Sequence, residues 1–575
     1  MRSSILFVLA LGALASHATH AAAPIHVSVD FGNKGRAVSP LIFGVSFGDP
    51  ARNAVVGYPV ERWGGNSTTR YNWQADIHNT ASDYFFENIR DCTAETCVGT
   101  PPAGNSADAF IRAARDGGAQ PLITIPTIGW MPRFDSPADH PFFAGFSVLT
   151  YGAQLKTDVY DPPAGNGDCD AGENNTIYCV GGQIVGNDPA DTSIANPPAN
   201  VAAWLAHFQA SFGTAASGGV KFFALDNEIM LWNSTHRDVH PLPLTFDGAW
   251  SATHDYASAI KQQEPDALVT GPVTWGYCDL FGSAADNCVS GADRNAHGGL
   301  AFVAWYLQQV CAQPLPGGKH LVDYLDLHYY PQDPNDAPTH IFSDDDDSAT
   351  AGRRLRALKE LYDPSWTSEA WIGDLGDFDG NHYSRPNLIP RVRAWVDQYC
   401  PGTKLAITEY NWGGDDTNSG AVAQAELLAI FAREGVDLAA RWVAPAAFSR
   451  TEDAFRLFLN YDGAGSRVAG NSVAATADNI DQIGAYGFRL SGQRNLLLLT
   501  NKDTSATHSV ALTFAQPQSG AWKLYGFDPA HALHVAASGT FVSPATALTL
   551  DSLPALSANL LVLPDNDVLF ANGFD

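Results

Sequence analysis

The chain has 575 residues and a formal net charge of -28, from 33 Lys and Arg against 61 Asp and Glu. Such a charge is repelled by nucleic acid and by anionic membranes, so neither is an expected partner, while a neutral polymer is indifferent to it. The length exceeds one ordinary domain and predicts two packed units.

Residues 1–23 have a basic start at Arg2, an apolar run over 5–15 and a small-residue exit at Ala21 to Ala23. This is the pattern of a secretory signal peptide, too short to span a membrane. The mature chain is therefore expected to begin near Ala22 to Pro24 and to be secreted, whether extracellular or periplasmic. Eight cysteines include no Cys-x-x-Cys pair, which argues against a zinc module. Cys92 with Cys97, Cys169 with Cys179 and Cys278 with Cys288 are local pairs, leaving Cys311 and Cys400 for each other. Four loop-stapling disulfides are expected in an exported protein, though spacing leaves other connectivities open.

From residue 40 to about 470, short apolar runs alternate with segments of helical character. The runs fall at 41–47, 60–63, 121–126, 221–225, 268–275, 324–330, 405–408 and 439–444. Eight such strands with intervening helices predict a (β/α)8 TIM-like barrel. A doubly wound open sheet is the alternative, but no Gly-x-Gly-x-x-Gly turn follows the first run. Helices are predicted from Ser106, as cap, to the stop at Gly117-Gly118, and over 201–212 and 421–434. The stretch 132–199, rich in Gly, Asn, Asp and Pro, reads as a loop region above the strand ends that shapes a cleft.

Past residue 470 the runs at 495–500, 508–514, 522–525 and 558–563 are strand-length, with turn residues and no helical segment between them. They predict an accessory antiparallel β-sandwich, into which the alternating segment 25–29 pairs. The expected organisation is thus a signal peptide over 1–23, a catalytic barrel over 40–470, a sandwich from 24–39 plus 471–564, and an acidic tail over 565–575.

Two of the barrel runs end in glutamates, at Asp226-Asn227-Glu228 and at Glu409-Tyr410-Asn411-Trp412. Active sites of such barrels sit at the carboxyl ends of the strands, and glycoside hydrolysis needs two carboxylates flanking the scissile bond. Either glutamate alone could equally begin a solvated loop; the pairing with amide and aromatic neighbours favours chemistry. Asn227 is placed to orient Glu228 and donate to a sugar hydroxyl. Asp326, His328 and Tyr330 share one strand face by period-two alternation, which makes His328 and Tyr330 candidates to orient a carboxylate. A satisfied core histidine is the competing reading of His328.

Trp63, Trp130, Trp232, Trp275, Trp412 and Trp442 all lie at or just past strand ends, where an indole can cover the apolar face of a pyranose. At least two of the six are expected to be packing residues, whereas Trp130 and Trp412 are expected to line the cleft. Arg62 and Asn66 flank Gly64-Gly65, where missing side chains would let substrate approach the backbone. Asp168, Asp170 and Glu173 offer hard oxygen ligands for calcium, against a solvated acidic loop as the simpler reading. Asp344 to Asp347 reads as a solvated surface run. No Gly-x-Ser-x-Gly elbow, Walker loop or His-Glu-x-x-His is present.

The stretch Arg62-Trp-Gly-Gly-Asn-Ser-Thr-Thr-Arg-Tyr-Asn-Trp73, followed by Ala81-Ser-Asp-Tyr-Phe-Phe-Glu-Asn-Ile89, resembles glycoside hydrolase family 44. Asp226 to Glu228, Asp326 to Pro331, Thr408 to Asn411 and Asn460 to Gly463 look like later landmarks of that family, and the resemblance spans about residues 25 to 560. It implies a secreted, retaining endo-β-1,4-glucanase that acts on cellulose-type β-1,4-glucans and on xyloglucan. By match of motif it also implies Glu228 as acid/base and Glu409 as nucleophile. No cofactor is then required for catalysis, although structural calcium occurs in the family, and a monomer is expected. The cysteine-bearing segments around Cys92 and Cys169 depart from the family pattern. The alternatives are another retaining barrel glycosidase, acting on xylan or mixed-linkage glucan, and a non-catalytic polysaccharide-binding protein.

Overall fold

The computed structural model of the chain describes residues 23–93, 96–133, 144–170, 177–334, 339–490 and 494–564. The expected signal peptide through Ala22, the acidic tail and Glu173 lie outside the described residues. Strand β1 (Ile25–Ala37) precedes a closed barrel of eight parallel strands. These are β2 (Gly44–Ser46), β3 (Val60–Trp63), β4 (Gln120–Ile125), β5 (Phe222–Leu225), β6 (Leu268–Thr274), β7 (Tyr324–Tyr329), β8 (Lys404–Tyr410) and β9 (Leu438–Arg441). Each of the eight apolar runs falls on one of them, and each strand pairs with its sequence neighbour, β9 closing onto β2.

The runs are continuously apolar because both strand faces are covered. Val60, Leu122, Phe222, Ala224, Tyr324, Ala406 and Leu438 fill the barrel interior. Their neighbours Ile123, Phe223, Leu225, Leu325, Leu327, Leu405 and Ile407 belong to the larger core against the helices. Those helices are α1 (Pro50–Val56), α2 (Ser106–Asp116), α3 (Pro198–Phe212), α4 (Phe246–Gln263), α5 (Phe302–Ala312), α6 (Ser348–Ala357), α7 (Leu388–Tyr399), α8 (Asn418–Glu434) and α9 (Arg450–Leu459). None of the described helices is long and apolar enough to cross a membrane.

Two local expectations need correction. The cap of α2 is Asn105, whose side chain accepts from Asp108 N at 3.0 Å, while Ser106 is already helical and donates its N–H to Asp76. The acidic run at 344–347 does structural work beyond solvation. Asp347 caps α6 through the N–H groups of Ala349 and Thr350, and Asp346 accepts from Asn418 N and Ser419 N at the start of α8. Helix starts carry unpaired N–H groups and a partial positive charge, which is what draws these carboxylates.

The second unit is a seven-stranded sheet ordered β1, β10 (Asn471–Ala477), β11 (Ile483–Arg489), β12 (Asn495–Asn501), β15 (Ser557–Val562), β13 (His508–Phe527) and β14 (His534–Leu553). The 20-residue β13 pairs with β15 near its end and with β1 near its beginning, so the sheet curls into two facing layers. The β1–β13 pairing is parallel and the rest are antiparallel. Leu497 and Leu499 enter the sheet's own core while Leu496 and Leu498 join the barrel's, which explains the unbroken leucine run. Between the two units lies α8, with its residues 419–432 all buried. Its Glu426 is 0 % exposed and accepts from Tyr486 Oη at 2.8 Å, Thr500 Oγ1 at 2.7 Å and Lys502 Nζ at 2.9 Å, clipping sheet to barrel. The four disulfides are Cys92–Cys97, Cys169–Cys179, Cys278–Cys288 and Cys311–Cys400.

Candidate active site

The interior-facing residues of β7 carry the alternation past the apolar layer. Asp326, fully buried, accepts from Thr270 Oγ1 at 2.5 Å and from Thr408 Oγ1 at 2.8 Å. Two residues on, His328 places Nε2 3.2 Å from Thr408 Oγ1 and Nδ1 3.0 Å from Glu228 Oε1. Thr408 has one hydroxyl proton and gives it to Asp326, so it accepts from His328 Nε2–H. That network puts a proton on Nε2 and leaves Nδ1 as the atom facing Glu228.

Strict alternation would put Glu409 on the outer face with Leu405 and Ile407. A bulge in the β7–β8 pairing prevents it: Leu327 pairs with Ile407, but His328 pairs with Glu409, leaving Thr408 as the extra residue. Bulges re-aim side chains in this way beside active sites. Glu409 thereby turns inward, where Arg62 donates to its Oε1 at 2.6 Å and Tyr330 Oη to its Oε2 at 2.9 Å.

Glu228 is delivered by a strained turn, with Asp226 at φ 68° and Glu228 at φ 47°, both left-handed. Asp226 secures the turn by accepting from Thr127 N at 2.5 Å and Ile128 N at 3.1 Å. Asn227 accepts from Arg62 at 2.7 Å and donates to Asn66 Oδ1 at 3.1 Å, so one buried guanidinium bridges both strand ends. An oxygen of Glu228, an oxygen of Glu409 and a nitrogen of His328 all lie within 4.8 Å of one another.

The two carboxyls are driven apart in acidity. Burial raises Glu228, with the Glu409 charge adding to it against the lowering influence of His328. Burial would raise Glu409 too, but His328, Arg62 and the Tyr330 hydroxyl outweigh it and hold Glu409 below the usual carboxylate value. One group is thus kept protonated beside another kept anionic, the condition for paired acid and nucleophile.

The tryptophans divide. Trp232 and Trp412 are each 2 % exposed, Trp232 with Nε1 3.4 Å from Asp226 Oδ1 and Trp412 packed on Tyr329. Neither has a face left for a sugar, so both are core residues, and the expectation that Trp412 lines the cleft is corrected. Trp63, Trp130 and Trp442 are half-buried. Trp442 lies under the Arg62 guanidinium, 5.8 Å from ring centre to Cζ. The Gly64-Gly65 reading changes as well, because a Cβ at Gly64 would lie 2.3 Å from Arg62 Cζ and one at Gly65 2.7 Å from the Trp442 ring. These glycines make room for the protein's own side chains rather than for substrate.

A pocket of about 180 Å3 opens beside Glu228, walled by Trp275, Tyr277, Tyr330, Gln332 and Trp371. Trp371 follows α6 in a short turn far in sequence from any barrel-strand end, and its Nε1 donates to Gln332 Oε1. Strand-end reasoning had no means of finding it. Asp279, also unanticipated, is buried and accepts from Trp275 N at 3.0 Å, and burial holds its carboxyl well above the usual range.

Calcium takes all-oxygen ligands. Asp168 Oδ1 accepts from Arg237 at 3.3 Å and Oδ2 from Asn166 Nδ2 at 2.8 Å. Asp168 is thus engaged by protein donors, and Glu173 of the same expected set lies outside the described residues.

The sequence profile of glycoside hydrolase family 44 matches residues 77–333. A crystal structure of a bifunctional glucanase-xylanase from a metagenome library is 34 % identical, with TM-score 0.84 over 94 % of this chain and 99 % of that one. The beta-mannanase/endoglucanase A of Caldicellulosiruptor saccharolyticus is 27 % identical over 86 % of this chain, and endoglucanase A of Paenibacillus lautus 25 % over 88 %. The chain spans 36 % and 66 % of those two proteins' lengths. On its landmarks, its barrel and these likenesses, the chain belongs to glycoside hydrolase family 44.

Proposed function

We propose that the chain is a secreted, retaining endo-β-1,4-glucanase working by double displacement. The observation that carries this is the pair of carboxylates with one oxygen of each within 4.8 Å of the other and acidities shifted in opposite directions. Inverting enzymes hold their carboxyls about 6.5–9.5 Å apart to admit a water, and retaining ones about 5–5.5 Å. Glu228 protonates the leaving oxygen while Glu409, held anionic by Arg62 and Tyr330, attacks the anomeric carbon. Once the glycosyl ester neutralises Glu409, its field on Glu228 vanishes, the Glu228 pKa falls, and the same residue serves as base toward water.

The pocket walled by Trp275 and Trp371 adjoins the proton donor and so takes the leaving-group sugar. All of these groups come from one chain, consistent with a working monomer, and four disulfides suit an oxidising compartment. Cellulose-type glucan and xyloglucan are the proposed substrates. Xylan is the second reading, favoured by the 34 % identical relative, which is a bifunctional glucanase-xylanase. Reducing-sugar release from soluble cellulose, xyloglucan and xylan tests both. Activity on xylan alone would replace the first reading by the second, and none on any of the three would leave a binding protein.

A further inference from the structure

The turn after β13 carries Asp528 and His531, and β14 opens with His534; none of the three is shared with the catalytic cluster. One potential ligand atom of each lies within 4.8 Å of the other two. His531 Nδ1 is 3.1 Å from both carboxylate oxygens of Asp528. The two are hydrogen-bonded, at a separation that adjacent ligands also take around an ion holding each at about 2.0–2.2 Å. His534 Nδ1 lies 2.9 Å from the Ala532 carbonyl oxygen. A carbonyl only accepts, so Nδ1 bears the proton and Nε2 keeps its lone pair, the tautomer that presents imidazole to a metal with its other nitrogen anchored.

The scaffold is built rather than loose. Asp528 is 8 % exposed, and its Oδ1 accepts from Ala530 N at 2.7 Å and His531 N at 2.9 Å while Oδ2 faces the His531 ring. Leu533 N donates to Asp453 Oδ2 at 3.0 Å, which ties the turn to α9. Arg450, the nearby cation, reaches the Asp528 carbonyl and not its carboxylate. The His531 side chain is 62 % exposed, so an ion has access from solvent.

We propose that Asp528, His531 and His534 form a surface site for a borderline divalent transition metal, with zinc as its representative. Two imidazoles and one carboxylate suit zinc, copper or nickel, whereas calcium and magnesium take oxygen-only sets. Three protein ligands leave the remaining positions to water. Bound metal stabilises the native chain to the extent that the folded turn binds it more tightly than the unfolded one does.

Equilibrium dialysis of the full chain against zinc chloride, with metal counted per chain, tests this in wild type, His531→Ala and His534→Ala. Both variants remove exposed or half-exposed rings, and unchanged Tm in chelator establishes that they fold. One saturable zinc per chain is expected, with affinity reduced in each variant by at least the tenfold to hundredfold that loss of an outer-shell partner alone costs. A zinc-dependent rise in Tm should vanish in both variants. Absence of saturable binding, or binding retained in both variants, overturns the proposal; retained zinc that blocks hydrolysis would sit at Glu228, His328 and Glu409 instead.

Discussion

At the residue scale, the acid and the nucleophile should fail in different ways. Glu409→Ala removes attack on every substrate. Glu228→Ala should keep activity on aryl glycosides whose leaving group needs no proton, with azide accelerating the second step. Equal loss of both substrate classes in Glu228→Ala would contradict its role as acid. The chain from Asp326 through Thr408 to His328 acts on Glu228 at one remove. Thr408→Val deletes the acceptor for His328 Nε2–H, and losing one such bond, about 1 kcal/mol, should lower kcat on glucan roughly fivefold to tenfold. The drop should be smaller on activated aryl glycosides, a split that simple misfolding would not produce. Of this cluster, Glu228, Glu409, Asn227, His328 and Tyr330 could be picked from strand-end position and alternation. The inward turn of Glu409 could not, because it depends on a bulge set by pairing with a strand some 80 residues earlier. The central position of Arg62 was likewise hidden, since its partners lie 165 and 347 residues away.

At the scale of elements, the leaving-group pocket and the junction between barrel and sheet each make a prediction. Trp371→Ala should raise KM for polymer about fivefold, as expected for a lost aromatic contact near 1 kcal/mol, with kcat on small aryl substrates unchanged. Unchanged KM would mean that the sugar lies elsewhere. At the junction, Glu426→Ala strands Lys502 as a buried cation without its partner. Breaking a buried pair in this way costs about 3–5 kcal/mol, readable as a lowered urea midpoint with little effect on kcat of the folded fraction. The barrel strands were legible because their apolar runs are covered on both faces, and the sheet because its runs lack helical segments between them. The role of α8 as the buried element between the units was less visible: an alanine-rich helix reads the same whether one side or both are covered.

For the whole molecule, stability should depend on pH through Glu87. Burial and the neighbouring Asp158 and Asp161 raise its carboxyl from 4.5 to about 8. A carboxyl raised on folding is equally protonated in both states below its unfolded value, so it carries no penalty there. Across 4.5 to 8 the folded chain holds a proton that the unfolded chain has released, and stability falls as pH rises. The urea midpoint of wild type should therefore drop between about pH 5 and about pH 8, and Glu87→Gln should remove part of that slope. An identical slope in the variant would refute the assignment. Thiol titration of denatured, unreduced chain should find no free cysteine among the eight. The central claim is the retaining pair, and the anomer first released from a soluble cello-oligosaccharide, followed by NMR before mutarotation, tests it most directly. Double displacement through Glu409 predicts the β anomer; the α anomer would mean inversion and would contradict the roles of Glu228 and Glu409 together.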